Sequence, residues 1–494
     1  MKWIQIQKDD NVAVALSELA VGEELQLEDK SIKTTQVIPK GHKVATDSIA
    51  QGDMIIKYGM PIGHAIANIG VGEHVHTHNT KTNLSDVVDY KYEQELTDNP
   101  FENENRTFMG YKRENGDVGI RNEIWVIPTV GCVNGTGQTI VNNFKKTLQK
   151  EEVDYIGVWG HNYGCSQLGD DHENTKKILS NMSRHPNAGG VLVIGLGCEN
   201  NQIDEFKKLL GDVNSDRVKF MVAQEVEDEI EEGIKLLGQI YETARNDRRE
   251  EVPLSKLKVG LKCGGSDGLS GITANPLLGV FSDYLVAQGG TTVLTEVPEM
   301  FGAETLLMKR SLNEDIFNKT VELVNDFKEY FINNNQPVYE NPSPGNKAGG
   351  ITSLEDKSLG CTQKSGTSTI MDVLKYGDRL TVPGLNLLSA PGNDLVASSA
   401  LAAAGCQMVL FTTGRGTPFG SFVPTMKIST NTDLAERKPN WIDFNAGVLV
   451  EGSEMVEVAR EYIDYIIQVA SGELVNNEKM DFRELAIFKT GITL

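Results

Sequence analysis

A glycine-rich turn at residues 263–276, which reads CGGSDGLSGITANP, carries the densest set of reactive side chains in the sequence. It follows the apolar run 257–261, which is typical of a buried strand, and precedes a helical pattern that begins near Leu277. A strand, a glycine turn and a helix start together can present backbone N–H groups to an anion. The turn offers the following candidate side chains: Cys263, Ser266, Asp267, Ser270 and Asn275. A ligand-binding turn and a purely structural βα loop are both compatible with this pattern.

Three alternating histidines, His74, His76 and His78, form a second candidate site. In a strand, alternate side chains share one face, so the three imidazoles would project together. Imidazole nitrogens suit first-row divalent metals, and the neighbouring Glu73 could add a carboxylate ligand or support the histidines. A polar strand end at a domain surface is the alternative interpretation.

A third polar cluster follows the predicted strand 155–160. It consists of the HNYGC segment at 161–165 and of Asp170, Asp171 and His172. Histidine beside cysteine and carboxylates suits either metal ligation or acid–base chemistry. A structural role for this cluster remains open.

Two cations stand alone in flexible segments. Lys347 lies in the proline- and glycine-rich stretch 341–350, where it is either a solvated tip or a substrate-facing cation or base. Arg415 lies between two glycines after the apolar run 408–411, with room to bind a carboxylate bidentately. No GxxxxGK[ST] motif occurs, and no GxGxxG follows a predicted strand, so nucleotide binding is not expected.

Length and composition limit the class of protein. The 494 residues are too many for one hydrophobic core and predict roughly three domains. A formal net charge of −22 argues against nucleic-acid or anionic-membrane partners, but not against a small anionic ligand in a local cationic pocket. The sequence has no apolar run of 18 residues, no signal-peptide pattern and no CxxC pair among six cysteines. We therefore expect a cytoplasmic protein with reduced thiols.

The pattern of elements predicts a multidomain α/β protein. Turn signals about every ten residues predict a small all-β domain over residues 1–84, and the polar, acidic segment 85–107 predicts a linker. Alternating strands and helices then predict two α/β regions with mainly parallel sheets, at 108–250 and 251–494. Ligands bind at the carboxyl ends of the strands in such sheets, which is where the glycines, cysteines and histidines fall.

Ten motifs along the whole chain resemble those of the altronate/galactarate sugar-acid dehydratase family. They are GHKVA, PIGHA, GEHVHTHN, TVGCVNG, YGCSQLGDDH, VIGLGCENNQ, CGGSDGLSGITANP, TEVPEMFGAE, NPSPGNKAGG and TTGRGTP. The resemblance implies an N-terminal domain of the SAF (β-clip) type. It also implies elimination of water from D-altronate to give 2-dehydro-3-deoxy-D-gluconate in hexuronate catabolism, with Fe²⁺, or Mn²⁺ in its place, as cofactor. The resemblance leaves open whether the histidine run belongs only to the altronate branch or lies outside the metal site.

The chemistry of such a reaction suggests roles for the candidate residues. Removing the C2 proton beside a carboxylate creates a second negative charge, which a metal ion, fixed cations and backbone donors can stabilise. Our hypothesis assigns the proton-abstracting base to Lys347, or failing that to His172, with Asp267 as a further catalytic residue. The predicted metal ligands are His74, His76, His78 and Cys263, and the predicted substrate-binding residues are Arg415, Gly265, Ser266, Asn275 and Asn346.

Other functions remain open at this stage. The chain could dehydrate a related sugar acid such as galactarate, or it could bind a sugar acid without turning it over. Alternatively, four thiols at predicted strand ends could hold an iron–sulfur cluster: Cys132, Cys165, Cys198 and Cys263. The sequence also leaves open whether the protein forms a homo-oligomer.

Overall fold

The computed structural model of the protein describes residues 2–28, 30–84, 87–339 and 341–494. The N-terminal region is all-β and consists of three small antiparallel sheets, ordered β1-β2-β5-β8, β3-β4 and β6-β7-β9. Its strands are β1 Trp3–Ile4, β2 Val12–Ala15, β3 Glu24–Gln26, β4 Ser31–Lys33, β5 Lys43–Ala45, β6 Met54–Lys57, β7 Met60–Ala65, β8 His74–Val75 and β9 Thr80–Lys81. The predicted all-β domain is therefore confirmed.

The second region is built on a four-stranded parallel sheet, ordered β13-β12-β14-β15, beside a small antiparallel sheet, β11-β10-β16. Its elements are β10 Thr107–Lys112, β11 Val118–Gly119, β12 Glu123–Pro128, α1 Asn134–Thr147, β13 Tyr155–Val158, α2 Gly169–Ser183, β14 Ala188–Gly195, α3 Ile203–Leu210, β15 Val218–Val222, α4 Glu229–Ala244 and β16 Glu250–Pro253. The buried strands β12 and β14 read as continuous apolar runs because helices cover both faces of the sheet.

The third region contains a seven-stranded parallel sheet, ordered β19-β20-β18-β17-β21-β22-β23. Its first elements are β17 Lys258–Cys263, α5 Ala274–Ala287, β18 Thr291–Leu294, α6 Glu304–Met308, α7 Glu314–Asn333, α8 Pro344–Ala348, α9 Leu354–Cys361, β19 Ile370–Leu374 and β20 Gly384–Leu388. They are followed by α10 Asp394–Ala403, β21 Met408–Thr413, β22 Thr425–Ser429, α11 Thr432–Arg437, β23 Phe444–Asn445, α12 Met455–Ala470 and α13 Asn476–Lys479. The predicted fold class, an all-β domain followed by two parallel α/β regions, is confirmed. None of the helices in the described ranges combines the length and the apolar character that crossing a bilayer would need.

The N-terminal region packs directly on the third region through glycines. A side chain at Gly268 or Gly350 would collide with the Gly41 carbonyl oxygen, since a Cβ atom there would lie 1.9 or 2.1 Å from it. Gly41 and Gly350 have positive φ angles of 81° and 103°, which glycine adopts without strain. Backbone from the two regions therefore meets without intervening side chains, next to the turn that follows β17.

A buried ion cluster fixes the same interface. Lys43 and Lys57, both from the N-terminal region, each place Nζ 2.9 Å from one carboxylate oxygen of Asp356 in α9. All three side chains are at most 2% exposed. The two positive charges hold the pKa of Asp356 well below its usual range, although burial alone would raise it.

The segment 87–106, which has no helix or strand, also lies along the third region, with Tyr90 Oη donating to Glu304.

Replacing Asp356 with asparagine should destabilise the docked structure. Losing one partner of a buried ion cluster leaves charges uncompensated and typically costs about 3–5 kcal/mol. Because the folded pKa of Asp356 is depressed, its contribution is full above the unfolded value of about 3.9 and is lost as pH falls through the folded value. Thermal unfolding of the wild type and the Asp356→Asn variant should therefore differ strongly at pH 7 and converge only well below pH 4. Equal midpoints at pH 7 would contradict this role.

Candidate active site

Three imidazoles, those of His42, His74 and His76, meet at the edge of the N-terminal region. The antiparallel register pairs Lys43 with Val75 and Val44 with His74, which places His42 opposite His76 and leaves all three on one face. His42 Nδ1 lies 2.9 Å from His74 Nε2, and one nitrogen from each of the three rings lies within 4.8 Å of the others. This compact arrangement could hold a single metal ion.

The predicted histidine site differs from the observed one in two respects. Strand β8 ends at Val75, and the chain turns where the Asn79 side chain accepts from His76 N and donates to the His74 carbonyl. His78 is exposed; its ring stands 5.4 Å from that of His74, but it does not join the three-ring group. Sequence reasoning missed His42, although it lies in the motif GHKVA directly before an apolar strand. Cross-strand register, which decides its position, is not visible in the sequence.

The imidazoles are suited to a divalent cation. Burial, with a smaller effect from nearby charged groups, lowers the pKa of His74 to about 4 and that of His76 to about 3, so both rings are neutral near pH 7. Neutral imidazole is the form that ligates metals. The buried Nδ1 of His76 has no hydrogen-bond partner among the residues that the structure describes, which is unusual for a buried polar atom and fits a ligand that is not part of the protein.

The loop that carries Lys347 lies against this cluster. His42 Nε2 is 3.3 Å from the Ala348 carbonyl oxygen, so Lys347 is next in the chain to a direct contact of the imidazole group. The short helix α8 is fixed by a capping box between Ser343 and Asn346. Lys347 is half-buried, and its ammonium group has no hydrogen bond or ion pair with any described residue. It is therefore free to act on a bound molecule.

The turn after β17 joins the Lys347 loop to Arg415. The Asn346 side-chain amide donates to the Ser266 carbonyl at 2.8 Å, and the backbone N–H groups of Gly414 and Arg415 both donate to the Gly265 carbonyl at 3.1 Å. Arg415 is exposed, and its guanidinium has no partner among the described residues. The turn thus connects the backbone segments that carry Lys347 and Arg415, and the substrate role of both side chains stays a prediction.

Asp267 and Asn275 are held by structural hydrogen bonds. The Asp267 carboxylate accepts from Thr430, Asn431, Ser270 and the Leu269 N–H, while burial raises its pKa. Asn275 donates to the Gly360 carbonyl and accepts from Thr412. Both side chains therefore shape the turn, and their roles toward substrate remain predictions.

Cys263 lies apart from the imidazoles. It is the last residue of the central strand β17 and is 1% exposed, with its sulfur 3.8 Å from that of Cys361 and 2.6 Å from Ser266 Oγ. A second compact group forms there from Cys263, Cys361 and Glu299. No described contact joins either sulfur to His42, His74 or His76, so the structure forms two separate groups rather than one mixed histidine–cysteine site.

Charged side chains surround the buried group of Cys263, Cys361 and Glu299. Lys262 and Lys364 both donate to Glu296, whose pKa burial and the neighbouring Glu299 raise to about 7. Lys357 lies 2.8 Å from Glu299, and nearby ammonium groups lower the pKa of Glu299 to about 2 against the effect of burial. A hydrogen bond with Cys361 and the charge of Lys364 hold the pKa of Cys263 well below its usual range.

The remaining candidates lie in the second region. His172 is half-buried in α2, with its Nδ1 buried and unpartnered, and no described hydrogen bond or ring contact joins it to the imidazole group. Three exposed cysteines follow strands β12, β13 and β14 at the carboxyl edge of the second region's sheet: Cys132, in the 3₁₀ helix Gly131–Val133, Cys165 and Cys198. Since Cys263 is buried in a different sheet, the fold does not favour a cluster held by all four thiols.

Comparisons with known proteins match every region of the chain. Residues 1–83 match the model described as the Altronate/galactarate dehydratase SAF domain, and residues 110–245 match D-galactarate dehydratase/Altronate hydrolase, second domain. Residues 254–493 match D-galactarate/Altronate dehydratase, C-terminal. The chain belongs to the altronate/galactarate dehydratase family.

Individual relatives match over almost their full lengths. The chain is 64% identical to Altronate dehydratase of Bacillus subtilis (strain 168), over 100% of this chain and 99% of that protein. It is 60% identical to Altronate dehydratase of Escherichia coli (strain K12), over 100% of both. Identity to Galactarate dehydratase (L-threo-forming) of Escherichia coli (strain K12) is 34%, over 95% of this chain and 93% of that protein.

Proposed function

We propose that this protein is a hydro-lyase that removes water from D-altronate to give 2-dehydro-3-deoxy-D-gluconate in hexuronate catabolism. Two full-length relatives at 60–64% identity bear the name Altronate dehydratase, whereas the relative named for galactarate is 34% identical. The structural observation that carries the proposal is the loop of Lys347: no described residue pairs with the Lys347 ammonium group, and the carbonyl of the next residue, Ala348, contacts His42 of the imidazole group. An enzyme that removes a proton beside a carboxylate needs a base to take the proton and a cation to stabilise the negative charge that forms.

We assign Fe²⁺, with Mn²⁺ as a substitute, to His42, His74 and His76. When bound, the cation supplies a Lewis acid that polarises substrate oxygen atoms. Burial lowers the pKa of all three imidazoles, and Nδ1 of His76 has no partner among the described residues; both observations support this assignment. Ala348 contacts His42 through its carbonyl oxygen, which holds one ring in a defined orientation.

The residues of the chain provide the steps of the elimination. Lys347, in its neutral form, takes the proton from C2, and the C–H electron pair forms the C2–C3 double bond as the C3–O bond breaks. The departing hydroxide takes up the proton that Lys347 then carries, so water leaves and the lysine is neutral again. Arg415 pairs with the C1 carboxylate, where negative charge develops. The enol tautomerises to the 2-keto acid.

The substrate assignment is tested with the purified protein loaded with Fe²⁺. We expect 2-keto acid to form from D-altronate, with kcat/KM at least about 100-fold higher than for galactarate, because galactarate has a second carboxylate in place of the C6 hydroxymethyl group and a site built to hydrogen-bond a hydroxyl group discriminates strongly against its loss. Faster turnover of galactarate would contradict the substrate assignment, and the absence of keto acid with both substrates would contradict the activity.

We also propose that the reaction takes place in the cytoplasm, which the six free thiols support.

Replacing Arg415 with alanine should raise KM and lower kcat/KM by about 10- to 100-fold, the usual effect of losing a hydrogen bond to a charged group. The basis is its exposed guanidinium, which no described residue pairs. Steady-state kinetics with D-altronate provide the measurement. Arg460, exposed on α12, is the matched control, and its alanine variant should keep both constants. A normal KM in the Arg415→Ala variant would assign the substrate carboxylate to another cation.

A further inference from the structure

The buried group of Cys263, Cys361 and Glu299 joins three separate elements of the third region. Cys263 ends β17, Cys361 ends α9, and Glu299 ends a 3₁₀ turn at Val297–Glu299. Their sulfur and carboxylate oxygen atoms all lie within 4.8 Å of one another, and the three residues are 1%, 3% and 4% exposed. Two sulfurs and a carboxylate at this spacing, contributed by three different elements, match the ligand set of a mononuclear metal site.

One oxygen of this group lacks a partner. Lys357 donates to Oε1 of Glu299, but the buried Oε2 has no hydrogen bond to any described residue. Buried carboxylate oxygens are almost always paired, because an unpaired one loses its contacts with water and gains no hydrogen bond in return. An ion between the sulfurs and the carboxylate would satisfy this oxygen.

The surrounding charges leave room for a divalent cation. Three ammonium groups, those of Lys262, Lys357 and Lys364, face the carboxylates of Glu296, Glu299 and Asp394. Metal binding would require Cys263 and Cys361 to be deprotonated, so the charge of a divalent cation would be balanced by the two thiolates.

We propose that Cys263, Cys361 and Glu299 bind a thiophilic divalent cation, Zn²⁺ or Fe²⁺, at a site separate from the imidazole group. Thiolates select these ions over Mg²⁺ and Mn²⁺. Two polar groups contact the Cys263 sulfur and would hold it in place as a ligand. Ser266 Oγ lies 2.6 Å from this sulfur, and the side-chain amide nitrogen of Asn275 lies 4.0 Å from it.

A cation at this site would also stabilise the Lys347 loop. Lys357, which donates to Glu299, is also 3.3 Å from Oδ1 of Asn346, the residue before Lys347. A cation on Glu299 would therefore hold β17, α9 and the Lys347 loop in one arrangement. This role is structural and does not depend on the substrate proposed above.

The proposal is tested by anaerobic titration of the metal-free full-length protein with Co²⁺, which gives an intense near-ultraviolet sulfur-to-cobalt band only when thiolates are ligands. We expect one equivalent of this band in the wild type and its loss in Cys263→Ser and Cys361→Ser. The Glu299→Gln variant keeps both thiols and should weaken Co²⁺ binding at this site by at least about tenfold. Circular dichroism checks that each variant is folded.

Three controls make the result specific. Cys406→Ser removes a buried thiol elsewhere, and a triple variant with serine at Cys132, Cys165 and Cys198 removes the exposed ones; both should keep the band. The His74→Ala variant should also keep it, because imidazole ligands give no sulfur band. Absence of the band in the wild type, its persistence in folded Cys263→Ser and Cys361→Ser, or its loss in the triple variant would each overturn the proposal. None of these readouts depends on dehydratase activity.

Discussion

Replacing His74 with alanine is expected to lower kcat/KM by more than about 100-fold and to weaken Fe²⁺ binding by at least as much. His74 is the ring that contacts His42 at 2.9 Å and stacks within 5.5 Å of His76, so its loss opens the centre of the group. Removing only a second-shell partner of a metal ligand typically costs about 10- to 100-fold in affinity or activity, and removing a ligand itself should cost more. Metal content after dialysis and steady-state kinetics measure the two effects.

His64 provides the matched control for this prediction. It lies in the same N-terminal region, in β7, and its ring contacts Asn83 rather than other histidines. The His64→Ala variant should keep both iron content and kcat/KM within about threefold, as expected for a site outside the metal group. If His74→Ala kept its iron, or if His64→Ala lost iron equally, the cation would have to bind elsewhere.

Replacing Lys347 with methionine is expected to lower kcat by at least about 100-fold, the usual range for loss of a general base being about 10²–10⁴. Methionine has a similar length and no titratable group, and the Lys347 ammonium forms no hydrogen bond or ion pair within the described part of the chain. Thermal stability and iron content should therefore remain those of the wild type. Loss of C2 deuterium from labelled D-altronate should disappear together with turnover.

The Lys347→Arg variant separates a base from a simple cation. Arginine keeps the positive charge but cannot give up its proton in proteins, so it can still attract the carboxylate but cannot take the C2 proton. We expect a KM near that of the wild type and a kcat as low as in the methionine variant. Recovery of kcat in Lys347→Arg would show that Lys347 binds the substrate as a cation and is not the base. Lys375→Met, an exposed lysine of the same region, controls for loss of positive charge alone.

The elements themselves follow from local patterns. The apolar runs that become β12, β14, β17 and β21 are long enough to be recognised as strands buried on both faces, and the glycines after them mark the carboxyl edges of the sheets. The short N-terminal strands are visible from their turn residues. These features depend only on residues close together in the chain, which is why sequence alone predicted them, together with the family.

The grouping of the functional side chains was settled by tertiary structure. His42 and His74 are 32 positions apart and meet through the register of β5 and β8, while Cys263 and Cys361 are 98 positions apart and meet through packing of α9 against the end of β17. Residue types and local periodicity therefore determined which groups could do chemistry. The pairing of distant strands and the docking of the N-terminal region decided which of them share a site, because contacts of long sequence separation leave no periodic trace in the chain.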